Sequence, residues 1–347
     1  MGSEMCIRDR FKYSGIPEKW KKQDAAQAYE QGKLLYDAKK YDEAKVFLEK
    51  AANLGNADAQ NNLGVCYQNG YGVGQDVAEA VKWYRLSAEQ GNAFAQYNLA
   101  QCYFYGNGVG QNYPEAVRLY RLLADQGNAD AQNRLGVCYE NGNGVAQNYA
   151  EAERWYRSAA GQGNADRQYK LGDRYYFGTN VRQDYAEAVR WYRLSANQGN
   201  ADAQCSLGFS YYHGKGVTRD YIEAVRWYRL SANQGNADAQ CNLGVCYSFG
   251  RGVKQDYAEA MRLYRLSADQ GVEAAQNNLG VNYENGTGVK QDYNEAKRWY
   301  RLAAAQGDVD ARKKLKRLLD NERFTRSIKL IKLEPLFIPE ERVFIPR

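Results

Sequence analysis

The sequence predicts an all-α solenoid of antiparallel helix hairpins, and three observations carry that prediction. A short tag recurs at a fixed period of 36 residues. Within each period two apolar stripes run at helical spacing, separated by a glycine-rich turn. The chain also holds 30 Tyr and 33 Gly at recurring positions, but only 5 Pro.

The tag is Asn-Ala-Asp followed by Ala-Gln. It begins at Asn56, Asn128, Asn200 and Asn236, with variants at Asn92, Asn164, Val272 and Asp308. Every step is a whole number of periods, without insertion. A fixed period of this length marks a stack of supersecondary units, each too small to bury its own apolar face.

Residues 56–91 show how one unit is built. Asn56 is placed to cap helix A, because its side-chain oxygen can accept a free N–H of the first turn. Asp58 adds negative charge near that positive end. Ala59, Leu63 and Tyr67 follow at spacing four as one apolar stripe. Gly70 and Gly72 stop the helix, since glycine adopts the left-handed conformation that helix ends require. Val73 is placed to tuck under the turn. Asp76 and Glu79 read as a D-x-x-E variant of the capping box that starts helix B. Ala80, Tyr84 and Ala88 make its stripe, and Gly91 closes it.

Later units repeat this chemistry. The helix A leucine recurs from Leu99 to Leu279 and the helix A tyrosine from Tyr103 to Tyr283. Small residues at Gly64, Ala100, Gly136, Gly172, Gly208, Gly244 and Gly280 are expected to let helix B approach closely. That gain would offset the cost of glycine inside a helix, about 1 kcal/mol against alanine. Asn180 replaces the second turn glycine in one unit; Asn is the next best residue at positive φ, so the turn should survive.

The pattern A-x-x-x-L-G-x-x-Y-x-x-G-x-G-V, then D-Y-x-E-A-x-x-W-Y-x-x-A-x-x-G, resembles the Sel1-like repeat across residues 56–307, seven units in register. The resemblance implies a tetratricopeptide-like, right-handed superhelix. Residues 24–55 keep the order of small and apolar positions (Gly32, Ala44, Leu48, Ala51), but their A–B turn is four residues shorter. They resemble an ordinary tetratricopeptide repeat that opens the array. Residues 308–322 read as a capping helix with Leu315, Leu318 and Leu319. Residues 323–347 read as an extended tail: Ile328–Leu333 alternates imperfectly, and the prolines exclude a regular helix. The tail is disordered, folds back, or docks into a second copy; its apolar content favours docking, and with it self-association. Residues 1–10 read as a non-native leader, because Met5–Arg10 resembles the translation of a common sequencing-library adapter. Localisation therefore stays open. Unpaired cysteines and the lack of a secretory apolar run favour the cytoplasm.

Charge and composition exclude several functions. From Arg312 to Arg347 there are eleven Lys and Arg against five Asp and Glu, so the whole net charge of +6 lies there and the array is neutral. A neutral array argues against nucleic acid, which needs a broad basic surface. No apolar run is long enough to span a bilayer. His213 is the one histidine, so no histidine pair exists for a metal site or a relay. The recurring G-x-G-V follows a helix rather than a strand, which makes it a turn and not a nucleotide cradle. No cofactor or metal is expected. Cys66, Cys102, Cys138 and Cys246 share one register, whole periods apart, and Cys205 and Cys241 share another. Helices stacked roughly 8–10 Å apart hold such residues beyond disulfide reach.

The resemblance also places the binding face. It implies a concave side lined by helix A, at positions equivalent to Asn61, Val65, Gln68 and Asn69. These positions vary between units, while the stripes stay fixed. Along them lie Tyr97, Phe104, Tyr105, Tyr169, Tyr176, Phe177, Phe209, Tyr212, His213 and Phe249, with Arg134, Lys170 and Arg174 nearby. Aromatics beside Arg are the usual composition of interface hot spots. The expected function is a non-catalytic scaffold or adaptor that binds a peptide or partner protein. The alternative is a secreted or periplasmic role. Some secreted Sel1-like proteins carry linked cysteine pairs, a few bind or hydrolyse β-lactams, and several bacterial relatives are host-directed effectors. This chain lacks the cysteine pair.

Overall fold

The structure, a computed structural model, describes residues 18–333, with side chains from residue 19 to 324 except residue 20. Among the described residues there are 17 α-helices and no strand. An opening pair, α1 (Glu18–Asp37) and α2 (Tyr41–Asn53), precedes seven hairpins. These are α3 (Ala57–Asn69) with α4 (Val77–Glu89), α5 (Ala93–Tyr105) with α6 (Tyr113–Asp125), and α7 (Ala129–Asn141) with α8 (Tyr149–Gly161). Next come α9 (Ala165–Phe177) with α10 (Tyr185–Asn197), and α11 (Ala201–His213) with α12 (Tyr221–Asn233). The last are α13 (Ala237–Phe249) with α14 (Tyr257–Asp269), α15 (Glu273–Asn285) with α16 (Tyr293–Gln306), and a final α17 (Val309–Leu333).

Most helix starts follow from a cap, while Lys40 before α2 and Val272 before α15 make no side-chain cap bond. Asn56 is extended and its side chain accepts from Ala59 N at 2.8 Å. Asp76 does the same for Glu79 N at 2.9 Å. Only this aspartate half of the capping box forms. The Asp76 N–H donates to the Tyr67 carbonyl at 2.9 Å, closing the A–B turn, so Glu79 has no free donor to reach back for. Glu79 pairs with Lys82 instead, at 2.6 Å. Gly70 ends α3 in the left-handed region, and Asn180 holds φ 58 where the other turns have glycine.

Close approach of α3 and α4 depends on Gly64. A Cβ built there would lie 2.6 Å from Tyr84 Cε1, and Gly136, Gly172, Gly208, Gly244 and Gly280 face their own tyrosines in the same way. A second fixture joins successive hairpins. The Gln60 amide donates to the Ala52 carbonyl of the preceding pair at 3.0 Å and accepts from Gln90 of its own hairpin at 2.7 Å. Gln132, Gln204, Gln240 and Gln276 repeat both bonds. These glutamines are buried, and a buried amide is tolerated when both its ends are satisfied.

The chain divides into two compact units: Met1–Arg167 with Phe177–Gln183, and Gln168–Tyr176 with Asp184–Arg347. In the first, Tyr84, Leu99, Tyr120 and Leu135 form the core. In the second, Tyr228 and Leu243 lead one cluster, and Tyr264, Leu279 and Trp299 another.

One expectation is corrected. Residues 323–333 are helical, because α17 runs on to Leu333 rather than stopping near residue 322. The first proline of the tail, Pro335, lies beyond that point. Ile328 with Ile331, and Leu330 with Leu333, are three apart and suit a helix as well as a strand. The leader and the proline-containing remainder of the tail, with its expected docking, lie outside the described residues.

Candidate partner-binding face

The variable register of helix A starts close to the core. Asn61 is buried and accepts from Asn98 of the next helix A at 3.1 Å, so this edge of the register packs hairpin on hairpin. Positions nearer the C-terminal end of helix A emerge toward solvent, and there the ten aromatic positions separate by environment.

In the first unit, Phe104 is buried. Its ring meets Tyr105 at 5.0 Å, Tyr113 at 5.2 Å and Tyr120 at 6.4 Å. Phe104 occupies the place where Gln68 accepts from Tyr84 and Glu140 accepts from Tyr156. The Tyr120 hydroxyl consequently has no hydrogen-bond partner. Tyr97 is half-buried against Tyr120, while Tyr105 is exposed. Arg134 of α7 links them: it donates to Tyr105 at 2.9 Å and to Tyr97 at 3.5 Å, and stands over the Tyr105 ring. Phe177 is 69% exposed.

The second unit assembles a longer aromatic face. Tyr169 and Tyr192 flank Asp173, which accepts from Tyr192 at 2.7 Å. Burial raises the Asp173 carboxyl, and the two tyrosine hydroxyls partly oppose that rise. Tyr176 meets Tyr185 at 5.0 Å and Phe209 at 6.4 Å. Phe209 meets His213 at 4.2 Å, His213 meets Tyr212 at 4.9 Å, and Tyr212 meets Tyr221 at 5.1 Å. The face ends at Arg251, which stands over Tyr212, Tyr221 and the exposed Phe249 and donates to the Tyr212 hydroxyl. Lys215 stands over Tyr185 at 4.9 Å and Arg219 over Tyr221 at 5.5 Å. Burial first, then the Lys215 and Arg251 charges, lower the His213 pKa from its ordinary value.

Sequence reasoning missed Lys215, Arg219 and Arg251, along with Tyr185 and Tyr221 on the adjoining helix starts. The signal was present. Lys215 and Arg251 fill the variable place between two turn glycines, where the other turns carry Tyr71, Asn107, Asn143, Thr179 and Thr287. Variation within the fixed frame occurs in the turns as well as on helix A.

Other chemistry is sparse among the described residues. No three His, Cys, Asp or Glu side chains converge on a metal-sized site. The six described cysteines are all free. No described helix is long and apolar enough to cross a membrane. An open polar groove of about 540 Å³ lies between α3 and α5.

The Sel1 repeat profile matches residues 24–56, 57–92, 93–128, 129–164, 168–200, 201–236, 237–272 and 273–308. The chain belongs to the Sel1 repeat family. The first of the eight matches covers the opening pair, despite its shorter turn. Two solved structures agree with the assignment. One is a protective antigen present in uropathogenic Escherichia coli strains and displaying an SLR fold; it is 36% identical with a TM-score of 0.78, over 87% of this chain and 67% of the other. The other is a Sel1 repeat protein from Oxalobacter formigenes, 30% identical with a TM-score of 0.65, over 90% of this chain and 93% of the other. No curated protein matches the chain. Sel1 repeat proteins generally mediate protein–protein interaction and are typically non-catalytic scaffolds.

Proposed function

We propose that this Sel1 repeat chain is a non-catalytic scaffold that holds a peptide or partner protein against the helix A aromatic face. The observation that carries the reading is the face of the second unit. There, rings from α9 and α11 join into one run that remains partly open to solvent, and Arg251 links it to Phe249 of α13. Phe209 is 37% and Phe249 65% exposed. A fixed frame of caps, glycines and stripe residues holds these variable positions, so the frame folds the repeat and leaves the variable side chains free to read a partner. Tyrosine supplies large contact area at low entropic cost. Tyr169 extends the proposed set in the second unit; in the first unit Tyr97, Tyr105 and Phe177 are proposed as a set of their own, with buried Phe104 beneath Tyr105.

Affinity purification with the intact chain and with a Tyr176→Ala, Tyr212→Ala variant tests this. The expected result is partner loss with helical content and unfolding midpoint nearly unchanged. Unfolding of the double variant would instead make these tyrosines core residues and end the reading.

A further inference from the structure

We infer that Lys215, Arg219 and Arg251 form a site for an acidic segment of a partner protein: an extended peptide whose Asp or Glu side chains alternate with apolar or aromatic ones. The inference rests on the scaffold reading and names the chemistry of its partner.

What sets these three cations apart is that they gather on one aromatic face, over Tyr185, Tyr212 and Tyr221, whereas the helix B cations are spaced one repeat apart. Lys82, Arg118, Arg154, Arg190, Arg226, Arg262 and Arg298 each pair with the glutamate three residues before them. The next cation along, as in Arg193 and Arg229, donates to a tyrosine hydroxyl of the following hairpin. Lys215, Arg219 and Arg251 have no carboxylate partner among the described residues. All three are exposed, and each stands over a tyrosine ring. A ring beneath a guanidinium fixes its plane and leaves N–H groups at its edge for a carboxylate; Arg251 gives one of them to the Tyr212 hydroxyl and keeps the rest, while Lys215 adds a point charge.

The surroundings select the partner. Exposed Phe249 and Phe209 offer apolar contact beside the charges. His213 lies among the same rings, and its pKa is lowered by burial first and then by the Lys215 and Arg251 charges. Asp184 and Asp220 also lie at these turns, and their carboxylates accept from the first N–H groups of α10 and α12. They interrupt the positive field once per repeat. A uniformly charged nucleic-acid backbone meets them with repulsion, whereas a peptide with spaced carboxylates can straddle them.

The test uses the full chain and fluorescence anisotropy with three labelled probes: an alternating Glu–Tyr peptide, an alternating Lys–Tyr peptide and a mixed-sequence single-stranded oligonucleotide. The Glu–Tyr peptide is expected to bind, more weakly as salt rises. A Lys215→Gln, Arg251→Gln variant should weaken it by about tenfold. An Arg226→Gln, Arg262→Gln variant makes the same charge change at paired positions and should weaken it less than about twofold. Binding should also raise the His213 pKa, read from the single imidazole by NMR. Equal losses in the two variants, tighter binding of the oligonucleotide, or an unmoved His213 titration would each overturn the inference. Binding of the Lys–Tyr peptide alone, lost with Tyr176→Ala and Tyr212→Ala, would overturn it while leaving the scaffold reading intact. If none of the probes binds, the inference fails, and the scaffold reading rests on its own affinity purification.

Discussion

Gly64 lies directly beneath the ring of Tyr84, so that a methyl group on its Cα would fall 2.6 Å from Cε1. Tyr84 is fully buried and its hydroxyl donates to Gln68 at 2.9 Å, so the ring has no free direction in which to move. Gly64→Ala gains helix propensity of about 1 kcal/mol but overpacks the interface at a cost of about 1–3 kcal/mol. The expected result is a lower urea midpoint. A raised midpoint would show that the two helices can separate cheaply. Ala100, at the same register against Tyr120, is fully buried, so Ala100→Gly should cost the propensity term plus the burial of one methyl group, about 2 kcal/mol in all.

Two tyrosines at the same register should respond oppositely to loss of the hydroxyl. Tyr156 donates to Glu140 at 2.8 Å, while the buried Tyr120 hydroxyl faces Phe104 unpaired. Tyr156→Phe is expected to destabilise by about 1 kcal/mol, and Tyr120→Phe to be neutral or stabilising. Chemical denaturation of the two variants side by side decides the matter; equal losses would mean that the Tyr120 hydroxyl has a partner.

The buried glutamine ladder gives a third expectation. Gln132 donates to the Ala124 carbonyl at 3.1 Å and accepts from Gln162 at 2.7 Å. Gln132→Leu removes one bond from each partner, although the carbonyl keeps the Gly127 N–H and the exposed Gln162 amide keeps the Gly127 carbonyl. The cost should be about 1 kcal/mol. Hydrogen exchange should show the loss concentrated at the α6–α7 seam. Uniform loss across the chain would argue against a local stitch.

Alkaline pH should unfold the chain through its thiols. Burial pushes Cys66, Cys102 and Cys138 up to about 11, and Cys205, Cys241 and Cys246 up to about 12. The unfolded chain ionises these groups at the ordinary thiol value near 8.5. Their contribution is therefore fully present below that value and is lost as pH rises through the folded values. Stability measured from pH 7 to 10 should fall, and fall less when Cys205 and Cys241 are replaced by Ala, once the neutral-pH cost of each change is subtracted. At pH 8, native protein should resist iodoacetamide at the five buried positions Cys66, Cys102, Cys138, Cys241 and Cys246, with half-buried Cys205 reacting faster; rapid labelling at any of the five would contradict the burial.

Much of the frame was legible from spacing. Asn56, Asp76, Gly70 and Gly64 each do a job that acts within one helix end or between one pair of helices, and such jobs leave a periodic trace. Phe104 shows the limit. It sits on the border between stripe and open face, and periodicity alone cannot place it. Tyr113 and Tyr120, arriving on α6, bury it. The glutamine of the recurring tag was legible as a marker but not as a stitch, because its partners are eight residues away on one side and thirty on the other.

By itself the sequence determined the period, the helix ends, the turns and the apolar stripes, because each is a local balance of caps, backbone freedom and side-chain spacing. Tertiary structure alone decided which variable side chains meet. Arg134 reaches Tyr105, and Arg251 settles over Tyr212, Tyr221 and Phe249. Those meetings depend on the distance and angle between packed helices, quantities that no single stretch of chain encodes.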